Sequence, residues 1–279
     1  MVESGIEVTS LIELLEENII NENRQSSKGN QLKWSYGHKW YKADYTGYEG
    51  LSEYVISNLL KKTDLRMDEF IIYNTEEIAY KHTKFTGCVS DDFLKNGWQL
   101  ITLERLFKNA YGQSFTKSIY NINDSRGRLK FIVEQVRRIT GLTEFGRYMS
   151  KLMLIDAFFL NEDRHMHNIA VLMDEKGDFT YCPIYDNGAG LLADTKMDYP
   201  LNGDLNTLIK EVKPKTFWND FDEQLEVAEE LYGQGFNLYF KKKDIDDILD
   251  AEKHYSNEEK ERVKQLLLWQ MRKYSYLFK

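Results

Sequence analysis

The sequence predicts an α+β chain of two lobes, a β-rich N-terminal lobe and a mainly helical C-terminal lobe. Between Leu32 and about Leu106, short aromatic, β-favouring runs surround a single helical stretch; from Ser125 onward, apolar residues recur at three- and four-residue steps. One hairpin with acidic flanks interrupts the helical half. At 279 residues the chain can bury two small cores or one large one. Its 42% hydrophobic and 14% aromatic content, with only three prolines, belongs to a packed protein rather than a disordered or fibrous one.

Residues 1–31 form the first segment. Leu11, Leu14, Leu15, Ile19 and Ile20 fall at helical spacing after the candidate caps Thr9 and Ser10, predicting a short amphipathic helix. The polar stretch Asn21–Gln31 then reads as a linker. Residues 32–106 make up the N-terminal lobe, with strand-like runs at Lys39–Tyr45, Phe70–Tyr73 and Trp98–Leu103 and a helix at Leu51–Lys62.

Residues 107–279 make up the helical lobe. Helices are expected over Leu129–Ile139 and Thr143–Phe159, then near Trp218–Tyr232, Lys243–Lys253 and Asn257–Leu277. The interrupting hairpin runs through Asn168–Met173, a turn at Asp174–Asp178 containing Gly177, and Phe179–Ile184. No internal repeat is present.

The net charge of −8 argues against general binding to a phosphate backbone, which needs clustered Lys and Arg. The run Lys241–Lys243 is too short to change this and reads as solvated surface. Cys88 and Cys182 are too few for a disulfide framework or a four-thiolate zinc site, so buried free thiols are expected. Acidic Glu3 and Glu7 precede any apolar run, unlike a signal peptide, and no stretch reaches the roughly 18 apolar residues of a membrane span. A cytoplasmic location is expected. Trp34, Trp40, Tyr41, Tyr45 and Tyr48 are read as packing residues rather than a base-stacking surface.

The polar groups with chemical potential gather at two junctions. Asn161-Glu162-Asp163-Arg164-His165-Met166-His167-Asn168 follows a hydrophobic helix and leads into the hairpin; Pro183-Ile184-Tyr185-Asp186-Asn187-Gly188 ends it. The hairpin brings both ends together. Phosphoryl transfer requires a carboxylate near the attacking hydroxyl and oxygen ligands that hold magnesium against nucleotide phosphates. Asp163 matches the first need, and Asn168 with Asp186 matches the second. His165 and His167 lack the further spaced ligands of a zinc site.

Asp163-Arg164-His165-x-x-Asn168, followed by an apolar strand and Tyr185-Asp186-Asn187-Gly188, resembles the HipA-like serine/threonine kinases of bacteria. Phosphatidylinositol kinases share the first motif. Eukaryotic-type protein kinases instead place His-Arg before the Asp and a Lys after it, so the resemblance is to the atypical branch. Tyr41-Lys42-Ala43-Asp44 and Gly47-Tyr48-Glu49-Gly50-Leu51-Ser52-Glu53 are similar to that family's nucleotide-anchoring strand and following helix.

The resemblance implies a two-lobed protein-kinase-like fold and an enzyme that uses ATP and Mg2+ to phosphorylate a protein Ser or Thr. Lys42 would contact the α- and β-phosphates, oriented by Glu53, with Glu49 as the competing partner. Strand alternation places Trp40 and Lys42 on one face and Lys39 and Tyr41 on the other, so only one of the two lysines faces the nucleotide. Ser35-Tyr36-Gly37 is the candidate turn over the phosphates, and Ser35 is a candidate autophosphorylation site. Backbone groups of Thr102, Leu103 and Glu104 would bond adenine. His165 would brace the catalytic loop, and Arg164 would position Asp163 or a phosphate. A lipid or small-molecule kinase, or a silent pseudokinase or toxin–antitoxin module, is the alternative. No helix-turn-helix is evident, so an antitoxin-like partner would be a separate chain.

Overall fold

The computed structural model describes residues 11–20 and 31–279. Its N-terminal part is a five-stranded sheet, ordered β1-β4-β5-β3-β2. The strands are β1 (Ile12–Glu13), β2 (Lys33–Tyr36), β3 (Lys39–Ala43), β4 (Asn74–Tyr80) and β5 (Thr83–Asp91). All pairs are antiparallel except β1 on β4. Two-residue turns close both hairpins, Gly37 and His38 at φ 59° each and Lys81 and His82 at φ 46° and 64°. Left-handed residues at both turn positions match the right-handed twist of paired strands.

The period of two sorts this sheet's faces. Trp34, Tyr41, Ala43 and Val89 pack with Leu14 and Ile78 into a small core on one side. Lys33, Trp40, Lys42, Cys88 and Ser90 point the other way, toward a cleft. Trp40 and Lys42 therefore share a face, as expected from alternation.

The helix expected over Leu11–Ile20 does not form. Ile12 and Glu13 pair with β4, Leu14 donates its N–H to the Ala79 carbonyl at 2.9 Å, and Glu16–Asn18 make a 3-10 turn. An isolated helix of about ten residues is marginal, whereas the β4 edge offers unpaired backbone groups and its sheet a place to bury Leu14. The candidate caps Thr9 and Ser10 lie outside the described residues, as does most of the linker. Phe70–Tyr73 also forms no strand of its own; Phe70 bridges Ile184 singly, and β4 begins just after it.

Helix α1 (Glu49–Leu60) follows β3 and buries Leu51, Val55, Ile56, Leu59 and Leu60 in the main core. The chain passes between Asp91 and Gln99 to β6 (Gln99–Thr102), which pairs with β7 (Ala170–Met173); β7 pairs with β8 (Phe179–Tyr181). The predicted hairpin is thus β7–β8, with Gly177 in its turn at φ 88°. The Trp98–Leu103 run is a strand, but it joins this second sheet.

Around it stand α2 (Leu103–Tyr111), α3 (Phe115–Tyr120), α4 (Ser125–Thr140), α5 (Phe145–Phe159), α6 (Leu205–Glu211), α7 (Phe221–Tyr232), α8 (Lys242–Ala251) and α9 (Asn257–Lys273). In α5 every residue except Arg147 and Lys151 is buried, so it forms the axis of the lobe and rigidly presents the loop that follows it. Among the described residues no helix is long and apolar enough to cross a membrane. Cys88 and Cys182 are buried free thiols.

Candidate active site

The cleft between the first sheet and the helical part encloses about 380 Å³. Its walls bring together Lys42 and Glu53 from β3 and α1, Asp163, His165 and Asn168 from the loop after α5, and Asp186 from the segment after β8. Residues up to 144 positions apart meet there through hydrogen bonds.

Lys42 is the junction. Its Nζ donates to Glu53 Oε1 at 2.7 Å and to Asp186 Oδ1 at 2.7 Å. Its ammonium also lies over the neutral Tyr73 ring, 5.1 Å from the centroid, where the negative face of the ring quadrupole attracts it. Burial opposes the charge on Lys42, but Asp186 and Glu53 outweigh it and hold the ammonium well above its ordinary range. Glu53 uses its second oxygen to accept the Asn187 N–H at 2.9 Å. Glu49 is engaged elsewhere. Its carboxylate accepts from the Thr46 and Gly47 N–H groups at 2.7 and 3.1 Å and from the Thr46 hydroxyl at 2.8 Å, shaping the entry to α1.

Asp186 adopts φ 61°, a left-handed conformation that costs a non-glycine residue about 1–3 kcal/mol. The cost is offset by what it aims. Burial would raise the Asp186 carboxyl, yet Lys33, Lys42 and Arg164 keep it far below the usual carboxylate range. Asn168 donates its amide to the Asp163 carbonyl at 2.8 Å, which leaves its Oδ1 as the atom suited to a cation. Its backbone N–H bonds the His165 carbonyl at 2.8 Å, and His165 Nε2 lies 3.8 Å from Asp163 Oδ1. The ammonium of Lys215, from the segment between α6 and α7, lies 3.9 Å from the same oxygen.

Arg164 turns away from the cleft into the interior, with its side chain only 1% exposed. Its Nε donates to Asp156 Oδ1 at 3.1 Å, Nη1 to the Tyr185 carbonyl at 2.6 Å and Nη2 to Asn187 Oδ1 at 2.5 Å. The guanidinium thus ties α5 to both loops, and contact with a nucleotide phosphate is not open to it. Burial pushes the Asp156 carboxyl up to about 6 against the pull of Arg164.

Several expected residues are not brought to the cleft. Ser35 lies within β2 opposite Trp40, and Gly37 closes the β2–β3 turn at the sheet's far end. Thr102 caps α2 by accepting the Arg105 N–H, while Leu103 and Glu104 donate their N–H groups to the carbonyls of Ile169 and Met166. All three are buried, and the Glu104 carboxylate caps α3 through Phe115 and Thr116. Adenine therefore has no free N–H to meet at 103 or 104.

The apolar wall is instead built by Phe93 and Leu94, just past β5, together with Leu100 and Tyr185. Lys33, Tyr73 and Asp194 also line the cleft and were not singled out from the sequence. The run Phe85–Ser90, leading into Phe93-Leu94, was the available signal for this wall.

A magnesium ion usually takes one or two protein oxygens and completes its octahedron with phosphates and water. Asp186 and the Asn168 amide oxygen, which line the same cleft, are donors of the type such a site uses.

No family model matches the chain, and no curated protein matches its sequence. Among solved structures, the proinflammatory kinase CtkA of Helicobacter pylori is similar at a TM-score of 0.62 and 15% identity, covering 95% of each chain. HipA of Shewanella oneidensis MR-1, solved with HipB and its operator DNA, is similar at a TM-score of 0.48 and 14% identity, covering 93% of this chain and 63% of that one. The likeness to CtkA shows the fold: a curled N-terminal sheet and a helical C-terminal part in a kinase-like arrangement.

Proposed function

We propose that the chain is an ATP- and magnesium-dependent phosphotransferase, acting as a HipA-like serine/threonine protein kinase that can also phosphorylate itself. The observation that carries this reading is the Lys42 ammonium held at 2.7 Å by both Glu53 and Asp186, in the cleft that Asp163 and Asn168 also line. A lysine oriented by a helix glutamate, facing an acid poised for a cation, is the arrangement phosphoryl transfer needs. The name of CtkA, a kinase of the same fold, supports it further.

In this reading Phe93, Leu94, Leu100 and Tyr185 enclose the adenine, and Lys42 neutralises charge on the α- and β-phosphates. Asn168 and Asp186 would hold magnesium, which when bound screens the phosphate oxygens and favours loss of ADP. Asp163 orients the acceptor hydroxyl and takes its proton as the new O–P bond forms and the β–γ bridge breaks. His165 steadies the loop through its own backbone and ring contacts. Arg164 holds the two loops in register from below. The antitoxin-like partner implied by the resemblance would be another chain.

Magnesium-dependent transfer of the radiolabelled γ-phosphate tests this, with the protein alone, with generic protein acceptors and with lipid vesicles. Wild type is expected to label protein. Asp163→Asn should keep nucleotide binding and lose about 10²–10⁴-fold in turnover, the range of general acid–base catalysis. Asp186→Asn should weaken magnesium-dependent ATP binding as well. Equal turnover in all three proteins would overturn the assignment, and label confined to lipid would move the acceptor class.

A further inference from the structure

We propose that Lys215 is a further catalytic residue, a cation on the acceptor side of the site whose ammonium contacts the phosphoryl group as it is transferred beside Asp163. The proposal rests on the reading of the cleft as a phosphotransfer site. Lys215 comes from the segment between α6 and α7, and its backbone N–H donates to the Glu162 carbonyl at 3.1 Å. The root of its side chain is thereby fixed against the loop that carries Asp163. Pro214 and Thr216 on either side are buried. One residue further on, Phe217 is held by Arg128 Nη1, which donates to its carbonyl at 2.9 Å, and by Gln224 Oε1, which accepts its N–H at 3.0 Å. The segment is pinned along its length, yet the Lys215 side chain turns outward and is 43% exposed.

Its ammonium lies 3.9 Å from Asp163 Oδ1 and 3.9 Å from Glu162 Oε2, beyond hydrogen-bonding reach of either. Glu162 Oε2 already accepts the Tyr199 hydroxyl at 2.9 Å. The head group is attracted to the two carboxylates without being spent on them, and a half-exposed pair of this kind adds little to stability. The neighbouring cations are committed: Lys42 donates at 2.7 Å to both Glu53 and Asp186, and Arg164 is sealed in the interior. During transfer, negative charge spreads over the equatorial oxygens of the phosphoryl group. The new O–P bond forms beside Asp163, which places those oxygens within reach of Lys215. As the acceptor proton passes to Asp163 and the electrons of the β–γ bridge leave with ADP, the carboxylate next to Lys215 loses its charge while the phosphoryl group keeps its own. The ammonium therefore binds the transition state more strongly than the ground state, which is the condition for lowering the barrier. Lys215 itself makes and breaks no covalent bond.

The test is steady-state transfer of the radiolabelled γ-phosphate of magnesium ATP to dephosphorylated casein and to the chain itself, with ADP binding followed by calorimetry, for wild type, Lys215→Met and Lys215→Arg. Lys215→Met should lower kcat by about 10²–10³-fold, the cost of one preorganised charge-stabilising donor. KM for ATP and the affinity for magnesium ADP should stay close to wild type, because the contact is made only during transfer. Lys215→Arg should recover most of the loss, since a half-exposed cation with no fixed hydrogen bond tolerates another. The melting temperature should hold in both variants, as the segment is anchored through its backbone; Lys215→Gln serves if the methionine variant is unstable. A kcat within about three-fold of wild type, a loss confined to KM, or an arginine variant as slow as the methionine one would overturn the proposal while leaving the site a kinase. Wild type that transfers phosphate neither to casein nor to itself would overturn the underlying reading instead.

Discussion

Lys42 and Arg164 are both cations gripped by several oxygens, and both hold the segment Tyr185–Asn187, yet they sit in different media. Lys42 bonds the Asp186 side chain at the cleft wall, with side chains 11% and 20% exposed. Arg164 bonds the Tyr185 carbonyl and the Asn187 amide from beneath, paired with Asp156, both side chains 1% exposed. One is placed where ligand and water can reach it; the other is sealed. The difference teaches that a cation near a candidate site can act on a substrate only where its cost of desolvation has been left incomplete. A planar guanidinium with several fixed donors suits the sealed position, and a compact ammonium on a flexible stem suits the open one.

Breaking the sealed member should have the largest effect. Arg164→Met leaves Asp156 buried without its cation and is expected to lower stability by about 3–5 kcal/mol in equilibrium denaturant unfolding. The double variant Asp156→Leu with Arg164→Met should recover much of that loss, since removing both partners of a buried pair is often close to neutral. A loss below about 1 kcal/mol for the single variant would refute the contrast, because the pair would then behave like an exposed one.

Breaking the open member should act on chemistry before stability. Lys42→Met is expected to cut phosphoryl transfer by about 10²–10³-fold, the usual cost of removing one preorganised charge-stabilising donor. Its loss of stability should be smaller than that of Arg164→Met, because water can enter the cleft and solvate Glu53 and Asp186. Lys42→Arg should not restore turnover, since the wider fork cannot reproduce two contacts from a single nitrogen. Melting curves and transfer assays on the same preparations decide this, and a larger stability loss in Lys42→Met would reverse the comparison.

The helical part was largely legible in the sequence. Each long helix was visible from its spacing, and α4 and α5 match their expected spans to within a few residues. The hairpin β7–β8 was visible too, because Gly177 marks its turn. The β4–β5 hairpin was not. Its turn uses Lys81 and His82 in left-handed conformations, where glycine or asparagine is the usual cue, and Asn74–Tyr80 carries two adjacent glutamates. No strand was expected at β5, and the expected run Trp98–Leu103 contains β6 of the second sheet. Among the site residues, Lys42, Glu53, Asp163, His165, Asn168 and Asp186 could be picked out because each lies in a local motif. Lys33 could not, since only its pairing with Lys42 across the β2–β3 ladder brings it to the cleft. The glycines of the Gly47-Tyr48-Glu49-Gly50 segment have a physical reason that spacing alone could not supply. A Cβ at Gly47 would run into the Ala193 carbonyl, and one at Gly50 into the backbone of Gly87.

The last expected effect concerns a buried carboxyl, close to Lys42 in sequence but held by neutral donors. Asp44, just past β3, accepts the Gly50 N–H at 2.6 Å and the Tyr255 hydroxyl at 2.7 Å, joining the strand to the segment before α9. Burial and the nearby Glu49 carboxylate push the Asp44 carboxyl well above its ordinary value, and these two hydrogen bonds only partly offset them. An unfolded aspartate releases its proton near pH 3.9. Above that pH and below the raised native value, the folded chain keeps a proton that the unfolded chain has lost, so stability falls as pH rises through the window. The slope contributed is at most about 1.4 kcal/mol per pH unit. Asp44→Asn removes this dependence while keeping an acceptor for one donor. Its stability relative to wild type should therefore be least favourable near pH 4 and improve steadily toward neutral pH, measured by denaturant unfolding at stepped pH. A difference that stays constant with pH would mean that Asp44 is ionised in the folded chain, so that two neutral donors alone suffice to hold a charge which Arg164 and Lys42 each need a network to balance.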